Sequence, residues 1–130
     1  MKRIAIALWF ASALAAFVAP AAANEFDHVW SCELKPGKTL GDARAVARTW
    51  LAAARSMKHG ENLQASIRYP IIVSESENRF DFVVRAPSLA AWGAFYDTYD
   101  DGTPVADADL KFADVASCSG STMWESIGVQ

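Results

Sequence analysis

Histidine and cysteine are scarce in this chain, two of each among 130 residues. With His28 and His59 alone, a multi-histidine metal site cannot be built within one chain, and no HExxH helix exists. No GxSxG elbow, phosphate loop or dinucleotide fingerprint occurs, so the sequence offers no motif for a serine nucleophile or a nucleotide cofactor, and no cofactor is expected. Nor is there an excess of positive charge: twelve Lys and Arg stand against fifteen Asp and Glu. The cations are scattered among the acids except along one helix face, which argues against nucleic acid, because phosphate backbones require clustered cations. The stretch Asp97-Thr-Tyr-Asp-Asp101-Gly102 superficially resembles a calcium loop. However, Tyr99 stands where a carboxylate or amide belongs and Ala108 where the closing Glu should be. Asp97, Asp100, Asp101, Asp107 and Asp109 are read as solvated acids, and no metal site is expected.

What the chain does have begins at its N-terminus. Lys2 and Arg3 precede an apolar run from Ile4 to Val18 broken only by Ser12, and Ala21-Ala22-Ala23 supplies small residues for cleavage. Residues 1–23 read as a secretory signal and residues 24–130 as the mature domain, starting at Asn24. No cysteine follows the apolar run to invite lipid attachment, so the product is expected in the periplasm or outside the cell, with no stable membrane insertion. Removing the signal takes away two cations and no acid, leaving 107 residues of net charge −5. That length suits a single domain with a modest core.

Both cysteines, Cys32 and Cys118, lie in the mature part, and export places them where such a pair closes. Their spacing is far too long for a CxxC redox motif, so a structural disulfide is expected, with Cα atoms about 4.4 to 6.8 Å apart.

Alternation of Trp30, Cys32 and Leu34 with Ser31 and Glu33 predicts a first strand over 28–34. Pro36-Gly37 turns the chain, and Thr39 with Asp42 forms a variant capping box. Leu40, Ala43, Val46, Ala47, Trp50, Leu51, Ala54 and Met57 then make the buried stripe of a helix that stops at Gly60. Leu63 to Val73 reads as a second strand, with Pro70 marking an edge or a break. A loop over 74–78 joins it to a third strand, 79–85. Ser88 caps a second helix carrying Leu89, Trp92, Phe95 or Tyr96, and Tyr99, expected to end near Gly102. Pro104 opens a short extra helix from which Leu110 and Phe112 dock, and 115–127 forms the last strand, loosened by Gly120.

This order is the βαββαβ, or ferredoxin-like, α+β sandwich: a four-stranded antiparallel sheet with helices on one face. The first and last strands lie side by side in it, so Cys32 and Cys118 face each other. Trp30-Ser-Cys32, Gly37-Lys38-Thr39 leading into the helix of Trp50, Trp92-Gly93, and Cys118 carry a resemblance to uncharacterised small exported bacterial proteins related in plan to the dimeric α/β-barrel superfamily. The resemblance covers nearly the whole mature chain and brings no established catalytic residues. It implies a unit whose uncovered sheet face pairs with a second copy, as in cofactor-independent monooxygenases. On that face Val29, Ile72 and Val83 are expected among Arg68, Asp81 and Arg85.

Arg44, Arg48 and Arg55, with Lys58 beyond, read as the solvated side of the first helix rather than an anion site. Trp30, Trp50, Trp92 and Tyr96 are the candidate ligand-binding residues, set against the plainer reading of aromatics at helical spacing as core. His28 is the most interesting titratable group, and His28, Arg68 and Tyr69 are the candidate catalytic residues. Without a convergent acid, base and nucleophile, the first reading is a small binding or interaction protein of the bacterial envelope, its partner a small molecule or an envelope protein. The alternative is a dimeric cofactor-independent monooxygenase or isomerase acting on a small hydrophobic compound.

Overall fold

The computed structural model describes residues 25–71 and 78–129. The expected signal (residues 1–23), Asn24, Ile72, Val73 and most of the loop after them lie outside the described residues. Seven elements follow in order: β1 (Glu25–Leu34), α1 (Leu40–Ser56), β2 (Gln64–Arg68), β3 (Arg79–Ala86), α2 (Leu89–Tyr96), α3 (Pro104–Ala113) and β4 (Ala116–Ser126). The strands form one antiparallel sheet in the order β2-β3-β1-β4. This is the expected ferredoxin-like α+β fold, with a third helix inserted before the last strand.

Register divides the side chains between two faces. Phe26, His28, Trp30 and Cys32 of β1 share the helix-covered face with Phe80, Phe82, Val84 and Ala86 of β3. Onto them α1 lowers Ala43, Ala47, Trp50 and Ala54, α2 lowers Trp92 and Phe95, and α3 lowers Val105, Ala108 and Phe112. The opposite face consists of rows running across all four strands: Gln64, Arg85, Asp27, Trp124; then Ser66, Val83, Val29, Thr122; then Arg68, Asp81, Ser31, Gly120. Val29 and Val83 occupy that open face as expected, yet both are already buried within the single chain.

Helix starts follow the expected chemistry. The Thr39 side chain accepts the Asp42 N–H while Asp42 accepts the Thr39 N–H, a reciprocal box in which Asp does the work of the usual Glu. Ser88 and Thr103 cap α2 and α3, and Pro104 sits in the first turn of α3.

Helix ends differ from expectation, for local reasons. Gly60 is not a left-handed stop for α1, which ends on an extended Met57; His59, beyond it, is the left-handed residue at φ 66°. Gly60 is needed because a Cβ there would collide with the Ala54 carbonyl, which lies against it. Helix α2 ends at Tyr96, well before Gly102. The Thr98 hydroxyl donates to the Phe95 carbonyl at 2.6 Å, and the Thr98 and Tyr99 N–H groups bond three residues back, tightening the last turn.

Strand ends shift as well. β2 stops at Arg68, since Pro70 cannot donate to a ladder and restricts Tyr69 before it. Tyr69 and Ile71 leave the sheet exposed. In α3, Val105, Ala108 and Phe112 are the docking residues, and Leu110 points outward instead.

Cys32 and Cys118 are disulfide-bonded across β1 and β4. Their Cα atoms are 3.9 Å apart, closer than the expected range, beside the register shift between Ser31 and Cys32. The bond ties the interior strand to the edge strand that follows every helix.

Candidate functional site

The residues that could hold a ligand converge between the sheet and the helices. Trp30 reaches up from β1 and Phe82 from β3; Trp50 comes down from α1, Trp92 and Tyr96 from α2, and Tyr99 from the turn beyond. Asp109 and Phe112 of α3 close the far side. Together they enclose a cleft of about 330 Å³, at the small end of ligand pockets. Trp50 and Trp92 are buried walls, whereas Tyr96 is 56% exposed and marks the mouth. The rings brace one another. Trp30 and Trp92 meet at 66° with centroids 6.2 Å apart, Trp50 stands edge-on to Phe82 at 5.3 Å, and Tyr96 stacks on Tyr99 at 5.8 Å.

All four residues expected to bind a ligand, Trp30, Trp50, Trp92 and Tyr96, thus line one cleft. Of the candidate catalytic residues, Arg68 and Tyr69 border one open groove and His28 lies apart from them. His28 lies under the helices, Arg68 is on the opposite sheet face against Asp81 at 3.9 Å, and Tyr69 is exposed at the end of β2. Tyr69 borders a shallow groove shared with Arg44 and Arg48, whose guanidinium groups lie on the exposed side of α1. Arg55 on the same helix donates to the Leu63 carbonyl at 2.9 Å, a fastening for the turn into β2.

His28 is buried behind the cleft wall. Its ring stacks on Trp30 with centroids 3.8 Å apart and lies edge-on to Trp92 at 5.2 Å. Neither ring nitrogen has a hydrogen-bond partner among the described residues. Burial pushes its pKa below the ordinary histidine value, because imidazolium would lose its hydration there. Its neighbour Asp27 faces the other way and accepts two bonds from Arg85, at 2.7 and 3.0 Å. These guanidinium bonds hold the Asp27 carboxyl below the usual range, with burial opposing them.

The depressed His28 pKa has a testable sign. Between the folded value and the unfolded value near 6.5 the unfolded chain binds the extra proton, so stability falls as pH drops through that window. His28→Phe should leave stability at pH 7.5 unchanged or higher and flatten this acid-side loss, as read by urea melts across pH 4.5 to 7.5. An unchanged pH slope would contradict the assignment.

Asp109 is the acidic residue of the cleft and was not singled out as a site residue in the sequence. Its carboxylate accepts the Trp50 indole N–H at 2.8 Å. Burial raises its pKa above the usual carboxylate value, and the Trp50 bond offsets this in part. Its spacing carries a weak signal: Asp109 falls at i+4 from Val105 and i−3 from Phe112, at the solvent-exposed border of the stripe that α3 buries.

No protein-family model matches the sequence, and no curated protein does. Solved structures do share the fold, which places the chain among ferredoxin-like α+β proteins. An antibiotic biosynthesis monooxygenase candidate from Bordetella bronchiseptica superposes with a TM-score of 0.53 at 14% identity, covering 82% of this chain and 99% of that one. SnoaB, a cofactor-independent oxygenase from Streptomyces nogalater, gives 0.51 at 9% identity, covering 83% and 96%. A conserved protein of unknown function from Bacteroides thetaiotaomicron, described as a possible oxidoreductase, gives 0.52 at 10% identity, covering 80% and 99%. At these identities the likeness is one of fold.

Proposed function

We propose that this is an exported small-molecule-binding protein whose ligand sits in the aromatic cleft between the sheet and the helices. The observation that carries the reading is the convergence of three tryptophans from three different elements on one partly open cavity. A core needing only to exclude water has no use for an opening at Tyr96. A neutral bicyclic arene such as 2-naphthol should quench the buried tryptophan fluorescence saturably in the parent protein. With Trp50→Phe, which alters the wall while keeping an aromatic ring, the affinity should change at least threefold. Non-saturable quenching, equal in both proteins, would remove the reading.

The second reading is a cofactor-independent oxygenase, the activity named for SnoaB. What favours it here is the His28 imidazole one ring away from the cleft, without a hydrogen-bond partner among the described residues. Its position behind Trp30 rather than in the lining favours binding over catalysis, since a general base must come within hydrogen-bond reach of the proton it takes.

Export rests on the charged, apolar and small-residue order of residues 1–23, and the Cys32–Cys118 bond suits the oxidising compartment to which such a signal leads. Among the described residues no helix is long and apolar enough to cross a membrane. We further propose a homodimer through the open sheet face. Trp124 is 60% exposed there, and the edge strand β4 carries no lysine or proline to discourage pairing. Because Val83 is already buried, a charge placed there would disturb the monomer itself, and Thr122 is the better probe. The exported product should begin at Asn24 by mass spectrometry. Light scattering should give the mass of two chains, reduced to one by Thr122→Arg. A retained signal would overturn export, and a monomeric parent would overturn the dimer.

A further inference from the structure

The chemistry of the cleft lining is one-sided. Trp30, Trp50, Trp92, Tyr96 and Tyr99 contribute electron-rich rings, the charged residue of the lining is the carboxylate of Asp109, and among the described residues no Lys, Arg or His lines the space. From this we infer that the cleft is an aromatic cage for an organic cation with an alkylated ammonium head, Asp109 supplying the counter-charge. The inference rests on the binding reading above and names the ligand class.

Three features support it independently of one another. An alkylated ammonium is attracted to the faces of tryptophan and tyrosine within about 6 Å of the ring centroid, and the attraction grows when the site is desolvated. Here two of the lining indoles, Trp30 and Trp92, stand at 66° to each other with centroids 6.2 Å apart, and one side of Trp30 is taken by the His28 ring. Asp109 is next. Its described partner is the Trp50 indole N–H, and no cation of the chain pairs with it among the described residues. Although the residue is solvent-exposed, partial desolvation shifts its pKa upward, and an incoming cation would favour the carboxylate. Finally, His28 behind the wall stays neutral on burial and adds no repelling charge.

Asp109 could instead serve only to orient Trp50, and an isosteric change separates the two roles. In Asp109→Asn the side-chain oxygen can still accept the indole N–H, while the charge is gone. Choline and its neutral isostere 3,3-dimethyl-1-butanol, titrated at constant ionic strength into the disulfide-bonded protein lacking residues 1–23, read the difference through tryptophan fluorescence. Choline should bind about tenfold or more tightly than the alcohol. Asp109→Asn should cost choline about tenfold and leave the alcohol within about twofold. If the alcohol binds as well as choline, or the variant binds choline as the parent does, the cation assignment is overturned. If choline fails while 2-naphthol still binds saturably, that assignment again falls and the cleft remains a binding site. If none of the three probes binds, the binding reading falls as well.

Discussion

Replacing Cys32 and Cys118 together with alanine should destabilise the domain by about 4.6 kcal/mol, the chain-entropy value for closing a loop of 86 residues. Domains of this size have only about 5 to 15 kcal/mol in total, so the variant should be largely unfolded or melt tens of degrees lower. The effect is large because of where the bond sits. Between Cys32 in β1 and Cys118 in β4 lie all three helices and both other strands, so one bond limits the freedom of almost the entire unfolded chain. Cys32 is also buried on the helix-covered face beneath the core. Thermal melts of oxidised protein, reduced protein and the double variant should place the latter two together and far below the first. Melting within about 3 °C for all three would contradict this account of the small core.

Trp92→Ala should be the most damaging substitution in the cleft wall. The indole is 4% exposed and touches His28, Trp30, Phe95 and Tyr96, so it joins β1 to α2. Truncation removes its burial energy and leaves a hole beside the existing cleft, a combined cost of about 3 to 5 kcal/mol. Trp50→Phe is milder. It keeps most of the packing and removes the bond to the Asp109 carboxylate, which water can replace at that exposed residue, at about 0.5 to 1.5 kcal/mol. Urea denaturation should rank the parent above Trp50→Phe and Trp50→Phe above Trp92→Ala. The reverse order would mean that Trp92 is less of a keystone than its contacts indicate.

Much of the fold is legible in the sequence because its signals are local or simply periodic. The apolar stripe from Leu40 to Met57 and the alternations around Trp30 and Phe82 each follow one period, and the Thr39 and Ser88 caps lie within three residues of their partners. Element ends were harder to read. At His59, Thr98 and Tyr69 the outcome depends on a single backbone conformation or one side-chain bond to the backbone, which periodicity does not register.

The candidate site divides along the same line. Trp30, Trp50, Trp92 and Tyr96 could be named because large aromatics on inward-facing positions must meet once helices cover a sheet. That they leave a cleft rather than fill it depends on the placement of α3, known only once the chain is folded. His28 is separated from Arg68 and Tyr69, which share a groove, for a reason of strand geometry. His28 sits at an even position of β1 and joins the Trp30 side, whereas Arg68 alternates with Ile67 onto the other face. Asp109 is solvent-exposed, as the sequence reading has it, and only the fold brings its carboxylate to the Trp50 indole at the cleft.

The claim that most needs testing is that ligands enter the cleft between helices and sheet. Four tryptophans remain once residues 1–23 are removed, Trp30, Trp50, Trp92 and Trp124, and their indole N–H resonances report separately on the two faces. On titration with 2-naphthol the Trp30, Trp50 and Trp92 signals should shift together along one saturable curve, while Trp124, on the open sheet face, stays in place. Movement of Trp124 alone, or of none of the four, would contradict the account.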